Sequence, residues 1–177
     1  MSIITFRDYQ QYAIDKTFEY FEGNAGNPLI AMPTGTGKSL VLAGVMERIV
    51  KSWSNQHVLM LTHVQELIEQ DHRSMLNLWP DAPAAIYSAG LGQRKVSNIT
   101  FGGIGSVAKN VHLFKKTNIV IIDEAHLVSP SSNTMYRRTI NQLLEYNPNL
   151  KVIGLTATRW RIGQGYLTEG DQALFTD

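Results

Sequence analysis

Short apolar runs alternate with longer amphipathic stretches along most of this chain. Leu29 to Met32, Val58 to Leu61, Asn118 to Ile122 and Lys151 to Leu155 are nearly continuous hydrophobic runs. Runs of that kind suit strands buried on both faces of a parallel sheet. Ala84 to Tyr87 and Asn98 to Phe101 read as two further strands. Between the strands, Asp8 to Phe21, Lys38 to Lys51, Gln65 to Leu78 and Asn133 to Tyr146 read as helices. The first carries Tyr12, Ile14, Phe18 and Phe21 near helical spacing. A short helix is expected after Gly105. Glu22 to Pro28, Pro80 and Asn147-Pro148-Asn149 supply turn signals between elements. This rhythm predicts an α/β fold, a mostly parallel sheet with helices on both faces. Residues 1–177 read as one domain, in which Trp160 to Asp177 has weak periodicity and reads as a tail.

Composition adds limits. Hydrophobic residues make up 44% of the 177 positions and charged residues 18%, enough for a sizeable core and too little charge for long disordered stretches. The net charge of +1 means that a polyanion would have to meet a local basic patch. The absence of cysteine excludes disulfides and thiolate zinc sites. It fits a cytoplasmic location, although a cysteine-free domain folds in any compartment. No signal peptide is visible at the start, and no apolar run is long enough to span a bilayer, so no membrane role is expected.

The chemistry sits where the predicted strands end. Met32-Pro33-Thr34-Gly35-Thr36-Gly37-Lys38-Ser39 joins the first strand to a helix. Glycines let backbone N–H groups wrap a phosphate, Lys38 would neutralise the β- and γ-phosphates, and the Ser39 hydroxyl would hold Mg²⁺. The general pattern opens with glycine, where this chain has Met32. The alternative is an ordinary glycine-rich turn, which the strand–loop–helix setting disfavours. Further on, the run Ile119 to Ile122 ends in Asp123-Glu124-Ala125-His126. Asp123 would hold Mg²⁺ through water, Glu124 would orient and activate an attacking water, and His126 would sense the γ-phosphate. A lone Asp-Glu pair after a strand is as readily a solvated helix start; the upstream phosphate loop tips the balance. Ligands of open α/β sheets bind at the carboxyl ends of strands, and both motifs fall there.

From Phe6 to about Arg161 the chain resembles superfamily 2 helicases of the DEAH-box type, which implies a RecA-like P-loop NTPase lobe using ATP and Mg²⁺. By that resemblance, Phe6-Arg7-Asp8-Tyr9-Gln10 is similar to the adenine-reading motif, with Gln10 on the adenine edge and Arg7 supporting it. The nucleotide contacts would run through Pro33, Thr34, Gly35, Thr36, Gly37, Lys38, Ser39 and Leu40. Val58 to Leu67 is similar to motif Ia, and Phe101 to Val107 to the next backbone-contacting motif. They imply nucleic-acid contacts at Thr62, His63, Gly103 and Lys109. Gly103 and Gly105 stand where the family has a hydroxyl residue and a glutamine. Gly154-Leu155-Thr156-Ala157-Thr158 is similar to motif III, whose Thr156 and Thr158 would couple nucleotide state to nucleic-acid grip. Arg159 stands where the family has proline. Within the superfamily, the turn from Thr62 to Leu67, the Gly105 to Ala108 stretch and the run from Thr156 to Gly165 resemble the RadD group of bacterial DNA-repair proteins. DNA is therefore favoured over RNA as partner.

Individual residues have blander readings beside these. His63 at a strand end is more often a surface residue than a phosphate contact, and Lys115 and Lys116 are equally well a solvated face. Arg137 and Arg138 read as solvated, and Trp53, Trp79 and Trp160 as packing residues. Arg159 and Arg161 are the better candidates for a role near the nucleotide. Motors of this superfamily need two RecA-like lobes, and nothing after Thr158 reads as a second one. The expectation is a nearly inactive ATPase lobe, with residues 160–177 leading toward an absent partner lobe. The motor lobe of a restriction enzyme and a non-catalytic nucleotide-binding scaffold remain as alternatives.

Overall fold

The computed structural model describes residues 4–129, 134–161, 165–170 and 173–176. A first helix, α1 (Asp8–Gly23), precedes β1 (Leu29–Ala31), α2 (Lys38–Ser52), β2 (Val58–Thr62) and α3 (Gln65–Leu78). Then come β3 (Ala84–Ser88), β4 (Gln93–Arg94), β5 (Ile99–Gly103), the short α4 (Ile104–Val107) and β6 (Ile119–Ile122). The chain continues through α5 (Met135–Tyr146), β7 (Lys151–Thr156) and a small pair, β8 (Trp160–Arg161) and β9 (Gly165–Tyr166).

The sheet has seven strands in the order β1-β7-β6-β2-β5-β3-β4. Every pairing in it is parallel except β3 with β4. The apolar runs alternate between two cores. Val58, Met60, Ile121 and Ile153 face a cluster with Val41, Val45 and Met46 of α2 and Ile68 and Met75 of α3. Leu59, Leu61, Val120, Ile122 and Val152 face a second cluster with Ile140 and Leu143 of α5. Both faces are thus covered, as a parallel sheet requires.

Local chemistry sets the element ends. Trp79 is extended ahead of Pro80, which excludes the helical conformation there and stops α3. The Thr134 hydroxyl accepts from the Arg137 N–H and caps α5; the expected start of this helix at Asn133 lies outside the described residues. β4 carries no strand signal, because a two-residue strand is too short to show a period. Among the described residues no helix is long and apolar enough to cross a membrane.

The stretch expected to lead away from the domain packs onto it where it is described. Leu167 and Phe175 are buried, and Phe175 closes the second core over Gly154. A Cβ on Gly154 would lie 2.6 Å from the Phe175 ring. The Thr176 N–H donates to the Asn27 carbonyl, and the Asn27 amide donates to the Leu174 carbonyl. Phe175→Ala is accordingly expected to cost about 3–5 kcal/mol in urea unfolding, the magnitude of a large-to-small core change. A loss within about 0.5 kcal/mol, typical of exposed positions, would mean that the segment is not part of the core.

Candidate active site

The carboxyl ends of β1, β7 and β6 meet at one edge of the sheet, and three sequence motifs meet with them. β1 runs into the phosphate loop, whose Gly35 and Gly37 have φ of 78° and 82°. Side chains rarely adopt that conformation, so glycine at these two positions lets the loop curl. Gly37 is the N-cap residue of α2, and Leu40 and Val41 donate their N–H groups to its carbonyl. Pro33, Thr34, Gly35 and Gly37 are exposed at the rim, while Lys38, Ser39 and Leu40 are half-buried beneath.

β6 ends at Asp123, and Glu124 follows with φ 55° and ψ 48°. Among the described residues it alone has a positive φ without being glycine, a conformation that costs roughly 1–3 kcal/mol and persists only where surroundings impose it. The imposing contacts are visible. The Lys38 ammonium donates to Glu124 Oε1 at 2.6 Å, and His126 Nδ1 lies 3.2 Å from the other carboxylate oxygen. The same His126 Nδ1 is 3.0 Å from the Thr156 hydroxyl. Thr156 donates to the Thr158 carbonyl and accepts from the Thr158 N–H, so a proton on His126 Nδ1 completes the network. Met32 donates its N–H to the Thr156 carbonyl, which ties the phosphate loop to the same strand.

Gln10 is buried and occupied at both ends. Its amide donates to the Thr36 carbonyl at 2.9 Å, and its side-chain oxygen accepts from the Arg7 N–H. Tyr9 also donates to the Thr36 carbonyl, and the Arg7 guanidinium donates to the Tyr9 hydroxyl. The segment expected to read adenine clamps the phosphate loop. A cavity of about 570 Å³ opens beside it, lined by Tyr9, Thr17, Tyr20, Met32 and Thr36. A second, of about 550 Å³, lies under Ala31, Pro33, Thr158, Arg159 and Tyr166. The Arg161 side chain lies outside the described residues.

The chain's donor set suits magnesium. The Ser39 hydroxyl and the Asp123 carboxylate belong to this edge; Asp123 is buried, and among the described residues its Oδ1 has no hydrogen-bond partner. An orphaned buried carboxylate oxygen is what a hard cation satisfies. Among the described residues no three His, Cys, Asp or Glu side chains form a direct cage, so an ion here would keep waters, as Mg²⁺ characteristically does. Burial raises the Asp123 carboxyl above its ordinary value, and the Lys38 ammonium pulls it partly back.

Two neighbours were missed in the sequence. Gln70 donates to the Ser39 hydroxyl at 2.8 Å. Asp71 is 1% exposed and feels Asp123, Ser39, Lys38 and Glu124. The available signal was an acid on an apolar stripe, since Ile68, Asp71 and Met75 share the buried face of α3.

The expected nucleic-acid residues fall on a separate groove of about 550 Å³ between α3, the β3–β4 hairpin and α4. His63, Gly103 and Lys109 line it, with Arg94 and Ser106. Ser106 accepts from the Ala89 N–H, which anchors the hairpin. Thr62 is fully buried, and its hydroxyl accepts from the Val64 N–H. It thus shapes the turn that presents His63. His63 is exposed, with the Tyr136 hydroxyl 3.5 Å away. Trp53 stacks on Phe18 and Trp79 lies under Lys51, both packing roles.

The chain is similar to known proteins. The family model described as "Type III restriction enzyme, res subunit" matches residues 3–161. The chain is 26% identical over 158 residues to the type I restriction enzyme EcoAI endonuclease subunit of Escherichia coli, covering 86% of this chain and 19% of that protein. It is 25% identical over 167 residues to the ATP-dependent DNA helicase fml1 of Schizosaccharomyces pombe, covering 88% and 19%. The helicase domain of Hef from Pyrococcus furiosus superposes with a TM-score of 0.67 at 23% identity, covering 86% of this chain and 33% of that one. The mostly parallel sheet is the RecA-like fold of these helicases. The chain spans about a fifth of the length of the two sequence relatives.

Burial, reinforced by the Asp123 charge, pushes the Asp71 carboxyl up to about 7. The folded chain therefore keeps a proton that the unfolded chain releases near pH 4, and this group lowers stability as pH rises from there to about 7. Asp71→Asn, which cannot ionise, is expected to raise the urea-unfolding free energy clearly at about pH 8 and little at about pH 5. An equal difference at both pH values would mean that Asp71 does not titrate in this way.

Proposed function

The chain belongs to the family described as the res subunit of type III restriction enzymes, and on that premise we propose that it is the ATP-binding lobe of an ATP-dependent DNA helicase or translocase. The observation that carries the reading is the contact of Lys38 with Glu124 at 2.6 Å, with Glu124 also beside His126 and through it Thr156. One cation of the phosphate loop, the glutamate and histidine of the box and the hydroxyl of the next motif form one network at the ligand edge of the sheet.

In this reading Lys38 transfers from Glu124 to the β- and γ-phosphates of ATP. Glu124, released from Lys38 but still held toward His126, orients the attacking water and takes its proton. Ser39 and Asp123 hold Mg²⁺, which supplies charge neutralisation of the phosphates. Thr156 and Thr158 carry the state of His126 into β7 and the strand pair beyond it. Arg7 and Gln10 serve the adenine once Thr36 is free of the clamp. The groove with His63, Gly103, Lys109 and Arg94 holds the DNA backbone, Lys109 and Arg94 as charges and His63 as a donor. Nucleotide is completed by a second RecA-like lobe that supplies arginine fingers.

The resemblance of the Thr62 to Leu67 turn to the RadD group favours DNA repair or recombination as the setting. The family description and the EcoAI relative favour a second reading, the motor of a restriction enzyme. Both use the same lobe and the same residues.

Titration of a fluorescent ATP analogue with Mg²⁺ tests the reading. Saturable binding is expected for the wild type and weakening of about tenfold or more in Lys38→Ala, from loss of a charge-assisted bond of roughly 1.5–3 kcal/mol. Equal binding by the two would end the catalytic reading and favour a scaffold. Hydrolysis by this chain alone should be slower than in two-lobed motors, since a missing arginine finger costs about 10³–10⁵ in rate. A steady-state phosphate-release assay with turnover at the level of complete helicases would contradict the need for a second lobe.

A further inference from the structure

Asp71 belongs to no motif, yet it lies near enough to the charged groups of the site to feel them. It is 1% exposed, and among the described residues neither carboxylate oxygen meets a partner in strict hydrogen-bond geometry, with the Ser39 hydroxyl close enough to favour its ionised form. It sits on the face of α3 that packs against α2, between Ile68 and Met75. Its helix neighbour Gln70 reaches the Ser39 hydroxyl at 2.8 Å, which locates this turn of α3 beside the start of α2. The charges that act on Asp71 are Asp123 and Glu124, which repel it, and Lys38, which attracts it. Lys38 is already paired with Glu124. Three carboxylates therefore share one ammonium; Asp123 keeps an orphaned Oδ1, and Asp71 has only the Ser39 hydroxyl beside it.

A leucine in place of Asp71 would continue the apolar stripe and remove a buried charge, a change that is often stabilising. The buried acid is a cost that a cation would relieve. The ion that fits is a hydrated dication: no direct three-residue cage exists among the described residues, and an ion that retains its waters presents donors to carboxylates beyond its first layer.

We propose that Asp71 is a second carboxylate of the divalent-cation site, a positioning residue that accepts hydrogen bonds from the waters of a hydrated Mg²⁺ held at Ser39 and Asp123. Gln70, on the preceding position, orients the Ser39 hydroxyl for the same ion. This rests on the nucleotide-site reading above and adds a residue and a role that the motifs do not contain.

The test uses Mn²⁺ as a paramagnetic stand-in for Mg²⁺, titrated by EPR into the chain saturated with ADP, for wild type and Asp71→Asn. Fluorescent ADP without metal gives the nucleotide affinity separately. The expected result is a Mn²⁺ affinity lower by about 10–100-fold in the variant, the usual effect of losing an outer carboxylate, with metal-free ADP affinity unchanged. Asp71→Ser gives the same readout should the asparagine variant fail to fold. ADP binding by both proteins with equal Mn²⁺ affinity would overturn this role and leave the nucleotide site standing. A metal-free ADP affinity that falls together with the Mn²⁺ affinity would make Asp71 merely structural. Absence of ADP binding in the wild type would overturn both.

Discussion

The ion pair between Lys38 and Glu124 joins residues 86 positions apart and holds the site together. It depends on the strand order. β7 lies between β1 and β6, so the phosphate loop and the acidic box flank the strand that ends in Thr156. Met32 bonds to Thr156 from one side and His126 from the other. The pair is largely sheltered from water, with the two side chains 14% and 20% exposed. Such a pair stabilises little by itself, but removal of one partner leaves a poorly solvated charge. Its consequence is geometric: it helps to keep Glu124 in a left-handed conformation that only a surrounding network sustains.

The same edge collects the unfavourable features of the molecule. Glu124 is strained, Asp123 and Asp71 are buried acids, the first with an orphaned Oδ1, and the loop glycines lose more backbone freedom on folding than other residues would. The two apolar cores, one under α2 and α3 and one under α5, carry this edge. Phe175 seals the second core over Gly154, so residues near the end of the chain contribute to the sheet that positions the site. The site is internally satisfied where it can be. Lys38 is neutralised by Glu124, and Thr36 is held by Gln10 and Tyr9. In the proposed reading each of these contacts is one that a nucleotide replaces, which couples binding to rearrangement of all three motifs.

The groove proposed for DNA is a different surface, and the two are linked through short physical routes. Thr62 shapes the turn that exposes His63, and β2, which bears that turn, pairs directly with β6, which bears the acidic box. The Tyr136 hydroxyl sits near His63 and is pushed up by burial and by the Asp123 charge. One aromatic residue of α5 thus lies against His63 and feels the Asp123 charge.

The strands, the main helices, the phosphate loop and the acidic box were legible in the sequence because each depends on neighbours within a few positions. A buried strand needs a continuous apolar run, a phosphate loop needs glycines at fixed spacing, and proline stops a helix wherever it stands. The boundaries of α3 at Gln65 and Leu78 were read directly for that reason. Packing decided the rest. The strand order, which places Thr156 between Lys38 and Glu124, arises from which apolar faces fit together and leaves no local trace. The clamp of Gln10 on Thr36 joins residues 26 apart, and the burial of Phe175 needs Gly154 beneath it. Asp71 looked like one more polar residue of an amphipathic helix. Only its packing against α2 makes it a buried charge beside the site, since the energy of a charge is set by its surroundings in space and not by its neighbours along the chain.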